Sequence, residues 1–141
     1  MIGVRVTGDR QVLAALSRMS EAGEEKALKE AITIAVEPVI ASAKGRAPSS
    51  QVAEGVQLIG VEKDDTGAIV GEIGLPGGRR PWFYGLFVEL GTGPRVQKSG
   101  RRTGSMPARP FLRPAFESES GNVRRLFFRH LRGVVMRARR G

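Results

Sequence analysis

The stretch from Gly91 to Met106 constrains the fold of this chain more than any other segment. It is rich in glycine and basic residues and contains almost no apolar residue. Such a segment has too little apolar surface to join a hydrophobic core, and it is too long and too polar for a simple turn. The sequence therefore predicts a basic loop over residues 91–106 that is mobile, or that becomes ordered only on meeting a partner.

The length and composition of the chain limit the classes of protein to which it can belong. A chain of 141 residues is the size of one domain, and on folding it can bury about two-thirds of the surface that its unfolded form exposes. We therefore expect residues 1–141 to form a single domain. The absence of cysteine excludes disulfides, and with only one histidine a Cys/His zinc site is excluded as well.

Charge is distributed unevenly along the chain. Residues 1–90 carry 10 Lys/Arg and 12 Asp/Glu, a net charge of −2, whereas residues 91–141 carry 13 Lys/Arg and 2 Asp/Glu, a net charge of +11. A strongly cationic half indicates an anionic partner such as nucleic acid. A solvated surface with basic helix ends explains the same charge equally well.

The sequence gives no indication of a membrane protein. No apolar run approaches the roughly 18–20 residues that span a bilayer. The N-terminus also lacks the basic region and apolar core of a signal peptide. We expect a protein that is synthesised in a cytoplasm and has no membrane partner.

The part of the chain before the basic loop predicts the order β-α-α-β-β-β. The strands are expected at residues 2–6, 56–61, 68–75 and 82–90, and the helices at residues 10–19 and 24–44. Pro38 is expected to kink the second helix rather than to divide it. Residues 49–55 are small and polar, so a loop is predicted there.

The part of the chain after the basic loop predicts one long helix. Pro107 and Pro110 favour an extended chain, and Pro114 suits the first turn of a helix over about residues 114–139. We expect an interruption of that helix near residues 120–122. The fold class is therefore α+β, with a small antiparallel β-sheet of three to four strands packed against helices, a long basic loop and a C-terminal helix.

The sequence contains no catalytic constellation, so we expect a non-enzymatic protein without cofactor or metal. Its glycines match neither a phosphate-binding loop nor a dinucleotide fingerprint. His130 has no nucleophile or carboxylate close to it in the sequence, which favours a partly buried structural role. The adjacent Asp64 and Asp65 are typical of a solvated turn.

The aromatic residues before the loop favour core packing over base stacking. Trp82, Phe83, Tyr84 and Phe87 lie on one predicted central strand, whereas a stacking platform needs aromatic side chains along an open groove with basic neighbours. Core positions are expected for Phe83 and Phe87.

The segment after the loop allows two kinds of strand pairing. Arg109, Phe111 and Arg113 alternate in an extended run. They can add an edge strand to a neighbouring subunit, with the arginines on one side and Phe111 inserted on the other. Pairing within the same chain is the equal alternative.

Two stretches of the sequence resemble a known family. The first stretch comprises Tyr84 and residues 87–92, where an aromatic run ends in an acidic residue and a Gly-Thr pair. The second stretch is the segment 106–116, which contains prolines and alanines. With a variable loop between them, these stretches resemble the small head–tail connector proteins of long-tailed double-stranded DNA phages, also described as tail-completion or minor tail components. The similarity covers most of the chain from the first helix onward and is most specific over residues 84–116.

The resemblance implies a structural virion protein of the phage neck, where the filled capsid meets the tail. It implies a homo-oligomeric ring, hexameric in this family, around the DNA channel. The implied partners are copies of the chain itself, neighbouring connector and tail proteins, and double-stranded DNA that passes through the lumen without sequence preference. The implied location is the virion neck or tail, after synthesis in the host cytoplasm.

Two groups of residues are candidates for contacts in such a ring. The first group, expected at the junction between subunits, is Phe87, Glu89, Gly91, Thr92, Arg109, Phe111 and Arg113. Glu89 is expected to pair with an arginine such as Arg109 or Arg113 of its own or the next subunit, and a polar cap of the loop is the alternative. The second group, expected to contact DNA in the lumen or a neighbouring subunit, is Arg95, Lys98, Arg101 and Arg102. A solvated loop is the alternative for these four.

The alternative function is a non-specific nucleic-acid-binding protein that uses its basic C-terminal half. Such a protein would bind DNA as a monomer or dimer with a steep salt dependence. The sequence has no helix-turn-helix or RNA-binding signature to favour it. An enzyme such as a nuclease is disfavoured because a metal-binding carboxylate cluster is missing.

Overall fold

The computed structural model describes residues 2–4, 10–77 and 84–140. The order of elements in these ranges is β1 (Ile2–Val4), α1 (Arg10–Leu16), α2 (Glu21–Ala35), α3 (Glu37–Arg46), α4 (Ser50–Gly55), β2 (Gln57–Lys63), β3 (Ile69–Gly74), α5 (Gly85–Leu90), β4 (Thr92–Val96), β5 (Arg102–Met106) and α6 (Leu112–Arg140). Helices packed with small antiparallel sheets confirm the predicted α+β class.

The main sheet has three antiparallel strands in the order β1-β3-β2. The strands β2 and β3 form the predicted hairpin, and Asp64 closes its turn, where Oδ1 accepts from the amides of Thr66 (2.8 Å) and Ala68 (3.0 Å). The third strand is β1, in which Ile2 lies opposite Ile73. The prediction that residues 82–90 supply the third strand is therefore wrong.

Pro38 interrupts the long predicted helix at a single residue. Val36 separates α2 from α3, but its backbone remains helical, with φ −86° and ψ −8°. Its amide donates to the carbonyl of Ile32 and its carbonyl accepts from Ile40, both at 3.1 Å. Pro38 lies in the first turn of α3, where a missing N–H breaks no helical hydrogen bond. The interruption is located as predicted, but it divides two helices instead of kinking one.

The core lies where α6 packs across α2 and α3, and α2 also packs against the sheet. Each of these helices buries one apolar stripe, as their sequence periodicity predicts. The buried stripe residues are Ala31, Ile32, Ala35, Val36 and Val39 on the α2–α3 side, and Val123, Phe127 and Leu131 on α6. Burial of each large apolar side chain contributes about 1.5–3 kcal/mol, so this interface is the main source of stability.

Gly71 allows α2 to approach the sheet closely. A Cβ at Gly71 would lie 2.6 Å from Cγ2 of the buried Ile32. We expect the Gly71→Ala variant to lose about 1–3 kcal/mol of unfolding free energy, because Ile32 must move within a packed core. The matched control is Gly60→Ala on β2, where nothing lies within 4 Å of the added Cβ. Equal denaturation midpoints for the two variants would contradict this packing.

Within the segment 49–55, which the sequence predicts to be a loop, residues 50–55 form the helix α4. The Ser49 hydroxyl accepts from the amide of Val52 (3.3 Å) and so caps the N-terminus of α4. It also lies 2.6 Å from the Tyr84 hydroxyl. The side chain of Val52 is fully buried. Tertiary burial of Val52 thus stabilises a helical turn that its small polar neighbours do not predict.

Residues 85–90 form the helix α5 rather than the end of a strand; Trp82 and Phe83 lie outside the described residues. Gly85 is buried, and a Cβ there would lie 2.6 Å from Leu75 Cδ1 and 2.8 Å from Val52 Cγ1. A short apolar run with no polar face is as typical of a buried helix as of a central strand. Close packing at Gly85 decides in favour of the helix.

The helix α6 continues through residues 120–122, where the sequence predicts an interruption. The Ser120 hydroxyl donates to the carbonyl of Glu117 (3.2 Å), and the Asn122 amide donates to the carboxylate of Glu119 (2.7 Å). Their polar groups are therefore satisfied within the helix. The helix begins at Leu112, two residues before Pro114, and its 29 residues span about 43 Å.

Candidate functional site

Residues 91–106 form a β-hairpin rather than an irregular loop. The strands β4 and β5 pair antiparallel with an irregular register. The turn is closed by the amide of Gln97, which donates to the carbonyl of Arg101 (2.9 Å), and by the amide of Gly100, which donates to the carbonyl of Gln97 (2.8 Å). Backbone hydrogen bonds thus order a segment that lacks the apolar residues from which strands are usually recognised.

The hairpin presents three basic side chains to solvent. Lys98, Arg101 and Arg102 are exposed, and Arg95 lies on β4 opposite Gly104. Within the described part of the chain, no carboxylate lies within 4.0 Å of Lys98, Arg101 or Arg102. The structure gives these three cations no partner inside the described part of their own chain, and contact with DNA or a neighbour stays a prediction.

Glu89, at the end of α5, caps the N-terminus of α6. Its Oε2 accepts from the backbone amides of Phe111 (2.6 Å) and Leu112 (2.9 Å), and its Oε1 accepts from the amide of Arg113 (3.1 Å). The first amides of a helix have no partner inside the helix, and the positive end of the helix dipole favours a carboxylate there. One side chain therefore fixes the start of a helix that begins 23 residues later.

The expected ion pair between Glu89 and an arginine does not form within this chain. The carboxylate of Glu89 is occupied by backbone amides, and the Arg113 guanidinium lies instead 3.9 Å from Glu117. No ion pair joins Arg109 to Glu89. The alternative interpretation of Glu89 as a polar cap is the correct one, although it caps the helix α6 and not the loop.

Two further hydrogen bonds hold the segment before α6, one to α5 and one to β4. The amide of Arg109 donates to the carbonyl of Val88 (2.7 Å). The amide of Met106 donates to the hydroxyl of Thr92 (3.1 Å), which faces it across the hairpin. Thr92 therefore shapes the base of the hairpin inside its own chain.

Gly91 allows its backbone to pass close to the backbone of Met106 and Ala108. Its backbone has φ +72° and ψ 174°, a conformation essentially restricted to glycine. A Cβ at Gly91 would lie 2.8 Å from the amide nitrogen of Ala108 and 3.0 Å from the carbonyl oxygen of Met106. We call this arrangement of Glu89, Gly91, Thr92 and the segment 106–113 the hairpin base.

Of the two aromatic candidates at the junction, Phe111 belongs to the core, whereas Phe87 does not occupy the core position predicted for it. Phe111 is only 1% exposed and lies in the main core. Its side chain is enclosed by its own chain, so the predicted insertion into a neighbouring subunit is wrong. The predicted strand pairing within the chain is not formed either, because residues 107–110 have no regular structure and α6 begins at Leu112. Phe87 is half-buried. Arg109 and Arg113 are exposed beside the hairpin base and remain candidates for contact with a neighbour.

An open groove of about 700 Å³ runs beside the hairpin base. Its apolar lining comes from Leu90, Ala108, Pro110 and Phe116, and its polar lining from Glu89, Arg113 and Glu117. Leu90 is 75% exposed, more than any other large apolar side chain among the described residues. The sequence analysis missed Leu90, because helical periodicity over six residues does not show which side chain faces outward.

His130 is the one histidine of the chain, and it has the partly buried position that the sequence predicts. Its Nε2 lies 3.8 Å from a carboxylate oxygen of Glu30, so the pair links α6 to α2. Across residues 10–77 and 84–140, no three His, Cys, Asp or Glu side chains come together in a group that could hold a metal ion.

In the same described ranges, no helix is both long enough and apolar enough to cross a bilayer. Comparison of the chain with family models, curated proteins and solved structures found no match. Inference about function therefore depends on the residues of the hairpin base, the groove and the charged surfaces.

Proposed function

We propose that this chain is a structural, non-enzymatic protein of the neck of a long-tailed double-stranded DNA phage. It joins head to tail, or completes the tail, as a homo-oligomeric ring around the DNA channel. The resemblance of residues 84–116 to small connector proteins motivates the proposal. The observation that carries it is a basic hairpin that is fixed at its base and, among the described residues, unpaired along both outer edges.

The hairpin base gives the hairpin a fixed direction relative to the core. Glu89 and Gly91 tie the end of α5 to the start of α6, and the hairpin emerges between those two tied points. A ring closes only when each subunit meets the next at a constant angle. A projecting element with a fixed root supports such a constant angle.

The outer edges of the hairpin supply groups for pairing with another subunit. A two-stranded ribbon is marginally stable by itself, and each unpaired edge presents backbone N–H and C=O groups. A strand from the adjacent copy can satisfy those groups, as in other cases of strand addition. Val96, which is 66% exposed on β4, is shielded from water by such a contact.

The groove beside the hairpin base supplies an apolar contact for the same interface. Leu90, Pro110 and Phe116 line it together with the exposed Arg113, and the exposed Arg109 stands in the chain between two lining residues, Ala108 and Pro110. In the proposed ring, a neighbouring copy covers Leu90 while the arginines form the polar rim. This arrangement of an apolar centre with a charged rim is typical of specific protein interfaces.

The proposed location is the virion neck or tail, reached after synthesis in the host cytoplasm. The proposed partners are copies of the chain in a hexamer, the neighbouring connector and tail proteins, and DNA passing through the lumen. In this setting Arg95, Lys98, Arg101 and Arg102 contact either the DNA or the next subunit.

Light scattering coupled to size exclusion tests the ring. We expect the wild-type chain to form a discrete oligomer. The Leu90→Ser variant should need about tenfold or higher protein concentration to form it. Burial of a leucine contributes about 1.5–3 kcal/mol, and each 1.4 kcal/mol changes the dissociation constant about tenfold. Met136→Ser, which removes an apolar side chain that is 55% exposed on α6, is the control and should assemble normally.

Two outcomes count against this proposal. A wild-type chain that stays monomeric up to its solubility limit excludes a self-assembling ring. Equal loss of assembly in Leu90→Ser and Met136→Ser shows that the groove is not the interface.

A further inference from the structure

The outward side of α6 carries a concentration of positive charge that the hairpin does not explain. Residues 121–140 contain seven arginines and neither aspartate nor glutamate. All seven are exposed: Arg124, Arg125, Arg129, Arg132, Arg137, Arg139 and Arg140. This region contributes more positive charge than the hairpin does.

Four of these arginines form a row along one face of the helix. Arg125, Arg129, Arg132 and Arg139 follow each other at intervals of four, three and seven residues, which places them on one side of an α-helix. We call these four residues the arginine row. The opposite side of the helix is buried through Phe127. At about 1.5 Å per residue, the row extends over about 21 Å.

The helix α2 of the same chain shows what an ordinary solvated helix surface looks like here. Lys29 lies 2.7 Å from Glu25, and Lys26 lies 4.0 Å from Glu30. The hydrogen bond and charge of Lys29 hold the pKa of the Glu25 carboxyl below its ordinary value. Acidic and basic residues at a spacing of four thus compensate each other on α2.

Three of the four arginines in the row have no such acidic partner among the described residues. Over the described ranges, no carboxylate lies within 4.0 Å of Arg125, Arg129 or Arg139. Like charges four residues apart, as in Arg125 and Arg129, destabilise a helix by about 0.2–0.5 kcal/mol. An anionic partner removes that cost.

The helix dipole accounts for only part of this charge. Arg137, Arg139 and Arg140 lie in the last turn of α6, where cations interact favourably with the C-terminal end of the helix. The effect is confined to the last turn, so it does not account for Arg125 and Arg129, which lie two turns or more before the end. The middle of the row requires another explanation.

We propose that the arginine row binds the phosphate backbone of double-helical DNA without sequence preference. A length of about 21 Å corresponds to about six base pairs at 3.4 Å each. An α-helix fits the major groove of DNA, where side chains along its outward face reach phosphates. Guanidinium groups suit phosphate oxygens because two parallel N–H bonds can form.

The composition of the outward face selects duplex DNA over a membrane. A helix that lies on a membrane needs an exposed apolar face, whereas the only large exposed apolar side chain on the described part of α6 is Met136. Beyond Asn122 the helix has no Asn or Gln that could read adenine edges. A row of arginines without these side chains suits the phosphates that every sequence offers, although arginine can also bond guanine edges. The binding does not depend on the ring, because a monomer offers the same row.

The test compares two triple variants that carry the same change of charge. Arg125/Arg129/Arg139→Gln removes three cations from the row, and Lys98/Arg101/Arg102→Gln removes three from the hairpin, so each lowers the net charge from +9 to +6. Fluorescence anisotropy of a labelled mixed-sequence duplex is measured with the full chain over a series of salt concentrations.

We expect the row variant to bind the duplex at least about tenfold more weakly and to reduce the log–log salt slope by about 2 to 3. The hairpin variant should keep the wild-type slope to within about 1. An Arg125/Arg129/Arg139→Lys variant, which keeps the charge, should recover most of the salt slope. Circular dichroism should show folded protein for all three, because the substituted side chains are exposed.

Three outcomes overturn the inference. The first is an equal or larger loss of binding in the hairpin variant. The second is a wild-type chain that does not bind the duplex at low salt. The third is preferential binding to phosphatidylserine vesicles over the duplex. Oligomeric mass, measured separately with Leu90→Ser, reports on the ring, so failure of the ring and failure of DNA binding are distinguishable.

Discussion

The Gly91→Ala variant is expected to lose about 3 kcal/mol or more of unfolding free energy. The backbone of Gly91, at φ +72° and ψ 174°, is in a region essentially restricted to glycine, and strain of this kind costs about 1–3 kcal/mol. The added Cβ also collides with the backbone of Ala108 at 2.8 Å and of Met106 at 3.0 Å. Backbone atoms cannot rotate away as a flexible side chain can, so the two effects add.

The Gly93→Ala variant is the matched control for Gly91. It lies two residues further along, has nothing within 4 Å of its added Cβ, and has no positive φ. Its unfolding free energy should stay within about 0.5 kcal/mol of wild type. Urea denaturation of both variants measures the difference, and a Gly91→Ala chain as stable as Gly93→Ala would falsify the close approach at the hairpin base.

Hydrogen exchange can locate the damage in Gly91→Ala. The amide of Arg109, bonded to the carbonyl of Val88, and the amide of Met106, bonded to Thr92, hold the hairpin base together. We expect faster exchange at these two amides at temperatures where the α2–α6 core remains protected. Uniform acceleration throughout the chain would show that the base and the core unfold as one unit.

The second large effect is expected for Glu89→Ala. Its removal leaves three amides at the start of α6 without their acceptor, and two of them belong to the buried Phe111 and Leu112. Hydrogen bonds to charged groups contribute about 1.5–3 kcal/mol, and buried donors left unpaired add to the loss. We expect a decrease of about 2–3 kcal/mol in unfolding free energy by thermal or urea denaturation.

A second substitution at Glu89 separates charge from hydrogen bonding. Glu89→Gln keeps one carbonyl acceptor but loses the charge that favours the helix N-terminus, so about half the loss is expected. Glu117→Gln is the control, because Glu117 is 70% exposed and its contact with Arg113 is 3.9 Å long; pairs of this kind contribute about 0–1 kcal/mol. If Glu89→Ala costs no more than Glu117→Gln, the cap does not stabilise α6.

Both variants also bear on the proposed assembly. Because Glu89 and Gly91 fix the root of the hairpin, loosening either should weaken the oligomer even where the core remains folded. Leu90→Ser differs from them, since it should weaken the oligomer with little change in the stability of the subunit. The comparison separates a residue of the interface from residues that position the interface.

Helices with long apolar stripes can be predicted from the sequence alone. The apolar stripes of α2 and α6 repeat over several turns, so a single exceptional residue does not hide their periodicity. Val36, Phe127 and Leu131 are all in the core. The turn at Asp64 follows from local chemistry, because its side chain bonds to amides two and four residues ahead. Interactions between residues so close in the chain can be predicted from the sequence.

Short helices and strands cannot be predicted in the same way. The helices α4 and α5 have six residues each, too few for periodicity to distinguish a helix from a loop or a buried strand. Their conformation is decided by contacts distant in the sequence, such as Gly85 against Val52 and Leu75. For the same reason, the strand that completes the sheet is β1 and not the aromatic segment.

The α+β class, the amphipathic helices with long apolar stripes and the separation of an acidic front from a cationic back can all be derived from the amino-acid sequence. These follow from composition and from periodicities that repeat within a single element. Contacts between distant segments alone establish that Glu89 caps α6 and that Phe111 is internal. Each of these is a relation between elements, and the free energy that selects it comes from burial and hydrogen bonds formed only when distant segments meet.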